Sequence, residues 1–280
     1  MTQADAHPAA PDRPVRLALL GAGGIGRLVG DAIERGRLPG VRVVAVAGAA
    51  AGSRSAAALA ERLGAPAVPP EALPDVGADW LLEAAGHEAV RVHLPRVWRA
   101  GVSTVLMSIG ALLDDDVAAA HRAALAAGVR VLLPSGGIAG LDAVRAMAAT
   151  GGLRRASITT TKPPAGLRGA PYLTRHGIEL PDDRAVTVFE GSAREAAAGF
   201  PANVNVAVAL ALAGLGPDRT RVVIRSDPAA RNNEQHIEAE GDEAVLDLRI
   251  ATRPSPSNPR TSTLAAASAV SALREACGVA

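Results

Sequence analysis

The chain has 280 residues, 49% of them apolar, which is enough for one large or two modest domains with buried cores. A formal net charge of +1 exerts no bulk pull toward nucleic acid or an anionic membrane, and 2% aromatic content leaves little for stacking on bases. The single cysteine, Cys277, has no internal disulfide partner, and neither a secretory signal pattern nor an uncharged apolar run of about 18 residues is found, so a cytoplasmic chain with no membrane association is expected.

Met1 to Arg13 reads as a loose polar tail. Val15 to Leu20 is a short apolar run ending at glycine, the pattern of a buried parallel strand. Ile25 to Arg35 follows with helical spacing, Ile25, Leu28, Val29 and Ile33 sharing one face. Strands are predicted at Val41–Val46, Trp80–Gly86, Ser103–Ser108 and Arg130–Leu133, alternating with helices at Ser55–Leu63, Ala89–Ala100 and Asp116–Ala127. A second glycine-rich turn, Ser135–Gly140, precedes a helix over Leu141–Ala149. Beyond Ala156 the pattern changes. Strand character marks 156–161, 185–190, 220–226, 235–240 and 244–250, and one long apolar helix spans Ala193–Leu215. Pro254–Pro259 reads as a loop, and a closing helix runs from Thr261 to Ala276 with Thr261 or a neighbour as N-cap.

Strand–helix alternation calls for a parallel sheet covered on both faces, whereas many strands with few helices call for an α+β layer. The expected fold is therefore α/β: a Rossmann-type doubly wound parallel sheet over 1–133, completed by the C-terminal helix in 253–280, plus an α+β second domain over 134–252 with a mostly antiparallel sheet.

Gly21-Ala22-Gly23-Gly24-Ile25-Gly26 leaves a strand and opens a helix. In that context Gly21 makes the turn, Gly23 admits a pyrophosphate, and Gly26 lets helix and strand pack closely, with the helix N-terminus facing the anion. The acidic residue that should end the second strand and hold the ribose hydroxyls is missing; Ala47 to Gly52 is followed by Ser53 and Arg54. With no carboxylate to repel a 2′-phosphate and Arg54 to attract one, NADP is expected to be accepted alongside NAD. Ala85 and Gly86 after the third strand, and Ser108 and Gly110 after the fourth, would line the same crevice, with His87 on its rim.

Lys162 is the only lysine; elsewhere positive charge is carried by arginine. It sits before Pro163-Pro164, where a fixed ammonium suits a substrate carboxylate. Of five asparagines, four fall in Asn203/Asn205 and Asn232/Asn233. An amide offers both donor and acceptor to a nicotinamide carboxamide. His236 is the best acid–base candidate, because the histidine side chain as a type changes charge near neutral pH. No metal site is expected.

Taken in order, GAGGIG (21–26), EAAGHEAV (83–90), SIGALLDD (108–115), LPSGGIAGLDA (133–143), TTTKPP (159–164), FEGSAREAAAGFPANVNVA (189–207), RNNEQHIEAEG (231–241) and NPRTSTLAAAS (258–268) resemble the L-aspartate dehydrogenase family over most of the chain. The resemblance implies NAD(P)-dependent oxidation of L-aspartate to iminosuccinate, then oxaloacetate and ammonia, or supply of the imine to NAD biosynthesis. By position it implies that His236 is the active-site histidine and that Gly137, with Ala139 nearby, and Asn203 or Asn205 contact the cofactor. A homodimer is the expected assembly. Gly137 departs from the pattern, which has alanine there. The rival readings are a homoserine dehydrogenase or dihydrodipicolinate reductase relative, or a non-catalytic dinucleotide sensor that needs neither His236 nor Lys162.

Overall fold

The computed structural model of the chain describes residues 13–201, 204–255 and 258–278. The N-terminal tail, except Arg13, lies outside them, as does Asn203. The chain divides into two compact units, one drawn from Met1–Ser108, Asp114–Pro134 and Ala266–Ala280, the other from Ile109–Leu113 and Ser135–Ala265.

In the first unit β1 (Val15–Leu20), β2 (Val41–Ala47), β3 (Trp80–Glu83), β4 (Ser103–Leu106) and β5 (Val131–Leu132) form a parallel sheet in the order β2-β1-β3-β4-β5. The helices α1 (Gly24–Glu34), α2 (Arg54–Arg62), α3 (His87–Arg99) and α4 (Asp115–Ala126) connect them. Leu17 to Leu20 are wholly buried, which explains why β1 reads as an unbroken apolar run rather than an alternating one. The chain leaves β1 toward β2 on one side and returns to β3 on the other. This strand-order reversal places a ligand crevice at the carboxyl ends of β1 and β3.

The second unit holds α5 (Leu141–Ala149), β6 (Leu153–Lys162), α6 (Pro171–Arg175), β7 (Val186–Ser192), α7 (Ala193–Gly199), α8 (Asn205–Ala213), β8 (Arg221–Ser226), β9 (Asn233–Gly241) and β10 (Val245–Thr252). Its sheet runs β10-β9-β6-β8-β7, antiparallel except for the β6–β8 pair. Alternate residues face opposite ways. Ala156, Ile158, Val222, Ile224, Ile237 and Ala239 are buried on one face, against α5 and α8 over β6. The other face is more exposed and carries Thr159, Thr161, Glu234, His236, Arg225 and Arg249.

Two expectations are corrected. The single helix over Ala193–Leu215 is two. Ser192 and Glu195 cap α7 reciprocally, and the chain turns out at Phe200, whose ring is fully buried against Tyr172 and Phe189. Pro201 then lacks the N–H a continuing helix requires. The presumed loop Pro254–Pro259 contains a short antiparallel pair, β11 (Pro254–Ser255) with β12 (Asn258–Ser262). The closing helix α9 (Thr263–Ala276) is capped by Ser262, the neighbour of Thr261, whose hydroxyl accepts from the Ala265 N–H at 3.2 Å. In the first unit α9 is tied down by Arg274, which donates to the Arg37 carbonyl. Cys277 is buried beside it, its thiol pushed up to about 11 chiefly by burial, so it packs rather than reacts.

Candidate active site

In the first unit the glycine loop is held by geometry that only glycine tolerates at two points. Gly21 has φ +109°, its N–H donates to Ala47 O at 2.8 Å, and a Cβ there would lie 2.4 Å from Ala84 O. A Cβ on Gly26 would lie 2.0 Å from Gly21 O, so α1 rests directly on the loop. Gly23 differs: nothing stands within 4 Å of where its Cβ would be. It is the N-cap of α1, no side chain caps that end, and the first turn of Gly24, Ile25 and Gly26 carries no acid. Open space beside uncapped helix N–H groups fits a pyrophosphate.

After β2 the chain passes Gly48, and Ser53 caps α2 through the Ala56 N–H. Arg54, the first residue of α2, is exposed. No carboxylate occurs from Ala47 to Arg54, so the region expected to select the ribose carries one cation and no anion.

One residue of this unit was missed from sequence. Glu83, the last residue of β3, is completely buried. Its Oε1 accepts from Ala85 N–H (2.8 Å), Gly86 N–H (3.0 Å) and the Ser108 hydroxyl (2.8 Å), and its Oε2 accepts from Ser108 N–H (2.9 Å). A single carboxyl thus staples together the loops after β3 and β4, which hold three of the residues expected at the cofactor. Burial pushes this carboxyl above the usual carboxylate range, against the pull of its four donors. His87 begins α3 beside it, half-buried. The only sequence signal for Glu83 is an acid at the end of an apolar strand.

In the second unit, Gly110 N–H donates to Asn205 Oδ1 at 3.0 Å, tying the 3-10 turn Ile109–Leu113 to the start of α8. Asn205 therefore commits its oxygen to the backbone; Asn203 lies outside the described residues. Gly137 is buried, with Thr252 Cγ2, Val206 Cγ1 and Ser262 Oγ each 3.7–3.9 Å from its Cβ position, while Ala139 is exposed.

The sheet register separates the two strongest candidates. Thr159 pairs with His236 across β6 and β9, so His236 shares the face of Thr159 and Thr161. Lys162 shares the opposite, covered face with Thr160, and its register partner is Ser226. Burial agrees: Lys162 is 6% exposed, whereas the His236 side chain is 27% exposed. His236 Nε2 lies 2.9 Å from Oδ1 of Asp247, which is itself 63% exposed. His236 borders an open depression of about 300 Å³ that Thr159, Thr161, Arg225 and Arg249 also line. On the covered face Lys162 lies with the buried Asn233 and Thr252, and Thr252 Cγ2 stands 3.8 Å from the Gly137 Cβ position; His236 is on the opposite face.

Comparison with known proteins adds three findings. The family model described as aspartate dehydrogenase, C-terminal, matches residues 142–276, and that described as homoserine dehydrogenase, NAD binding domain, matches 21–134. The L-aspartate dehydrogenase of Bradyrhizobium diazoefficiens is 39% identical over 270 residues, spanning 93% of this chain and 91% of that protein, and that of Methanosarcina acetivorans is 41% identical over 201 residues, 71% and 74%. The crystal structure of aspartate dehydrogenase from Thermotoga maritima shares the fold, with a TM-score of 0.69 at 24% identity, covering 94% of this chain and 97% of that one.

Proposed function

The chain belongs to the L-aspartate dehydrogenase family, and on that premise we propose that it oxidises L-aspartate with NAD or NADP, giving iminosuccinate and, after hydration, oxaloacetate and ammonia. The observation that carries the reading within this chain is the glycine loop: two glycines at which an added Cβ would lie 2.0 and 2.4 Å from a backbone oxygen, and one left open at the uncapped end of α1. Gly21, Gly23, Gly24, Ile25 and Gly26 would hold the pyrophosphate, and Ala85, Gly86 and Ser108, set by Glu83, would border the nicotinamide half of the dinucleotide. Bound in that place, the oxidised cofactor supplies a hydride acceptor.

The remaining work falls to the chain's own side chains. L-Aspartate presents two carboxylates and an ammonium, so its site needs a fixed cation and a group that takes a proton. The absence of a carboxylate near Arg54 supports NADP being accepted as well as NAD. A small dicarboxylic amino acid is thus the partner, and we place the protein in the cytoplasm as a homodimer. A purified-protein assay with L-aspartate and either cofactor, read as reduced-cofactor absorbance, tests the activity; no signal with either refutes it. Light scattering tests the dimer, which a monomer mass would refute.

A further inference from the structure

We propose, on the dehydrogenase reading above and with His236 as its active-site histidine, that Arg225 and Arg249 hold the two carboxylates of L-aspartate and Glu234 its ammonium, on the open face of the second sheet.

The sheet itself narrows the choice of cation. Lys162 leaves β6 on the covered side, whereas His236 stands on the other side with Thr159 and Thr161. A small molecule lying against His236 therefore takes its cations from the open face. Strand register sets two neighbouring rows there. In one, Thr159 of β6, His236 of β9 and Arg249 of β10 lie directly across from one another. In the next, Arg225 of β8, Thr161 of β6 and Glu234 of β9 do the same. Adjacent strands are about 4.8 Å apart, so each row of three spans roughly 10 Å, the scale of a small amino acid gripped by long side chains. All six residues line the open depression of about 300 Å³.

The balance of charge carries the proposal. Elsewhere on this sheet arginines are matched by acids: Arg221 pairs with Glu190 at 2.7 Å and Arg155 with Glu240 at 3.4 Å. The side chains of Arg225, Arg249 and Glu234 make no ion pair or hydrogen bond among the described residues, although all three border one depression. The hydroxyls of Thr159 and Thr161 are likewise without a partner among the described residues. The other acids of this face are engaged. Asp247 Oδ1 lies 2.9 Å from His236 Nε2, and Glu238, across from Asp247, accepts from the Ser157 hydroxyl at 3.2 Å.

Two guanidinium groups and one carboxylate left unmatched around one depression are the complement of L-aspartate, which brings two carboxylates and one ammonium. A guanidinium fork takes a carboxylate through two parallel N–H···O bonds, and the threonine hydroxyls can donate to the same oxygens. The set also selects. A monocarboxylic amino acid leaves one guanidinium unmatched, and a dicarboxylate without an amine sets a carboxylate against Glu234. With Nε2 of His236 engaged by Asp247, Nδ1 is the ring nitrogen left for the bound molecule.

The test compares Arg225→Gln, Arg249→Gln, Glu234→Gln and, as a control on the same strand as Arg225, Arg221→Gln. All are full chains checked for folding by circular dichroism. Calorimetry is run with L-aspartate and with succinate, which has both carboxylates and no amine, always with reduced cofactor present so that nothing is oxidised. Arg225→Gln and Arg249→Gln should each bind both ligands about ten-fold more weakly or worse, and Arg221→Gln should match the wild type. Glu234→Gln should bind L-aspartate more weakly but succinate as well as the wild type or better, an opposition that a merely structural role would not produce. In the oxidative assay the two depression-lining arginine variants should lose kcat/KM by a similar factor. Wild-type affinity for both ligands in either of these arginine variants, or equal weakening of both ligands in Glu234→Gln, overturns the proposal. The two readings fail separately. If L-aspartate is oxidised while both arginine variants bind as the wild type does, the recognition site is wrong and the dehydrogenase stands. If the arginines are needed for succinate binding but no L-aspartate is oxidised, the depression remains a dicarboxylate site and the dehydrogenase reading falls.

Discussion

Replacing Glu83 tests whether the cofactor side of the first unit is organised by a single buried group. In Glu83→Gln the amide oxygen can take the place of Oε1, keeping the Ala85, Gly86 and Ser108 hydroxyl donors, but its NH2 then faces the Ser108 backbone N–H, which had donated at 2.9 Å. Flipping the amide is worse, because three donors would then face the NH2. One buried N–H left without an acceptor costs roughly 2 kcal/mol. Glu83→Ala orphans all four donors and, as the removal of a buried charge with its whole set of bonds, should cost ~4 kcal/mol. Relief of the burial penalty on the carboxyl offsets part of each loss. Urea unfolding gives the stability change. Fluorescence titration with reduced cofactor gives the functional one, since Ala85, Gly86 and Ser108 are released together. The expected order of affinity is wild type, then Gln, then Ala. A Glu83→Gln protein within ~0.5 kcal/mol of wild type and with unchanged cofactor affinity would refute the staple.

The other predictions concern the loop, the ribose and the lysine. Gly23→Ala, at φ −78° and with nothing within 4 Å, should leave the melting temperature unchanged yet weaken cofactor binding at least ten-fold or so, because a methyl would occupy the pyrophosphate's approach. Gly26→Ala should lose both stability and binding, since its Cβ would sit 2.0 Å from a carbonyl oxygen; equal behaviour of the two variants would contradict the assignment. Arg54→Asp should raise KM for NADP selectively, and an equal rise for NAD would remove Arg54 from the phosphate site. Lys162 is held at about 8 in the folded chain against an ordinary 10.5, so between those values the unfolded chain binds more protons and stability rises with pH. The wild type should therefore gain ~3 kcal/mol relative to Lys162→Met from just below pH 8 to pH 10.5, measured by denaturant unfolding at each pH. A constant difference across that range would show that the amine is not depressed.

Local signals determined much of this protein. The glycine loop was legible because its function is set within six residues, in the turn, the close approach and the helix start. The missing acid after β2 was equally legible, as were the parallel and antiparallel layers, since buried runs and alternating runs differ in the chain itself. Lys162 stood out by composition alone. Tertiary structure decided what depends on partners distant in sequence. Glu83 is a staple because Ser108 lies 25 residues away, and the break near Phe200 follows from rings contributed by α6 and β7. Above all, strand register assigned the faces. Gln235 and His236 are neighbours in the chain, but a strand sends successive side chains to opposite sides, and only the pairing of Thr159 with His236 fixes which one joins Lys162. Residue type pointed to the histidine; the parity of the pleat put the glutamine, with the lysine and a serine whose hydroxyl has no partner among the described residues, on the covered face.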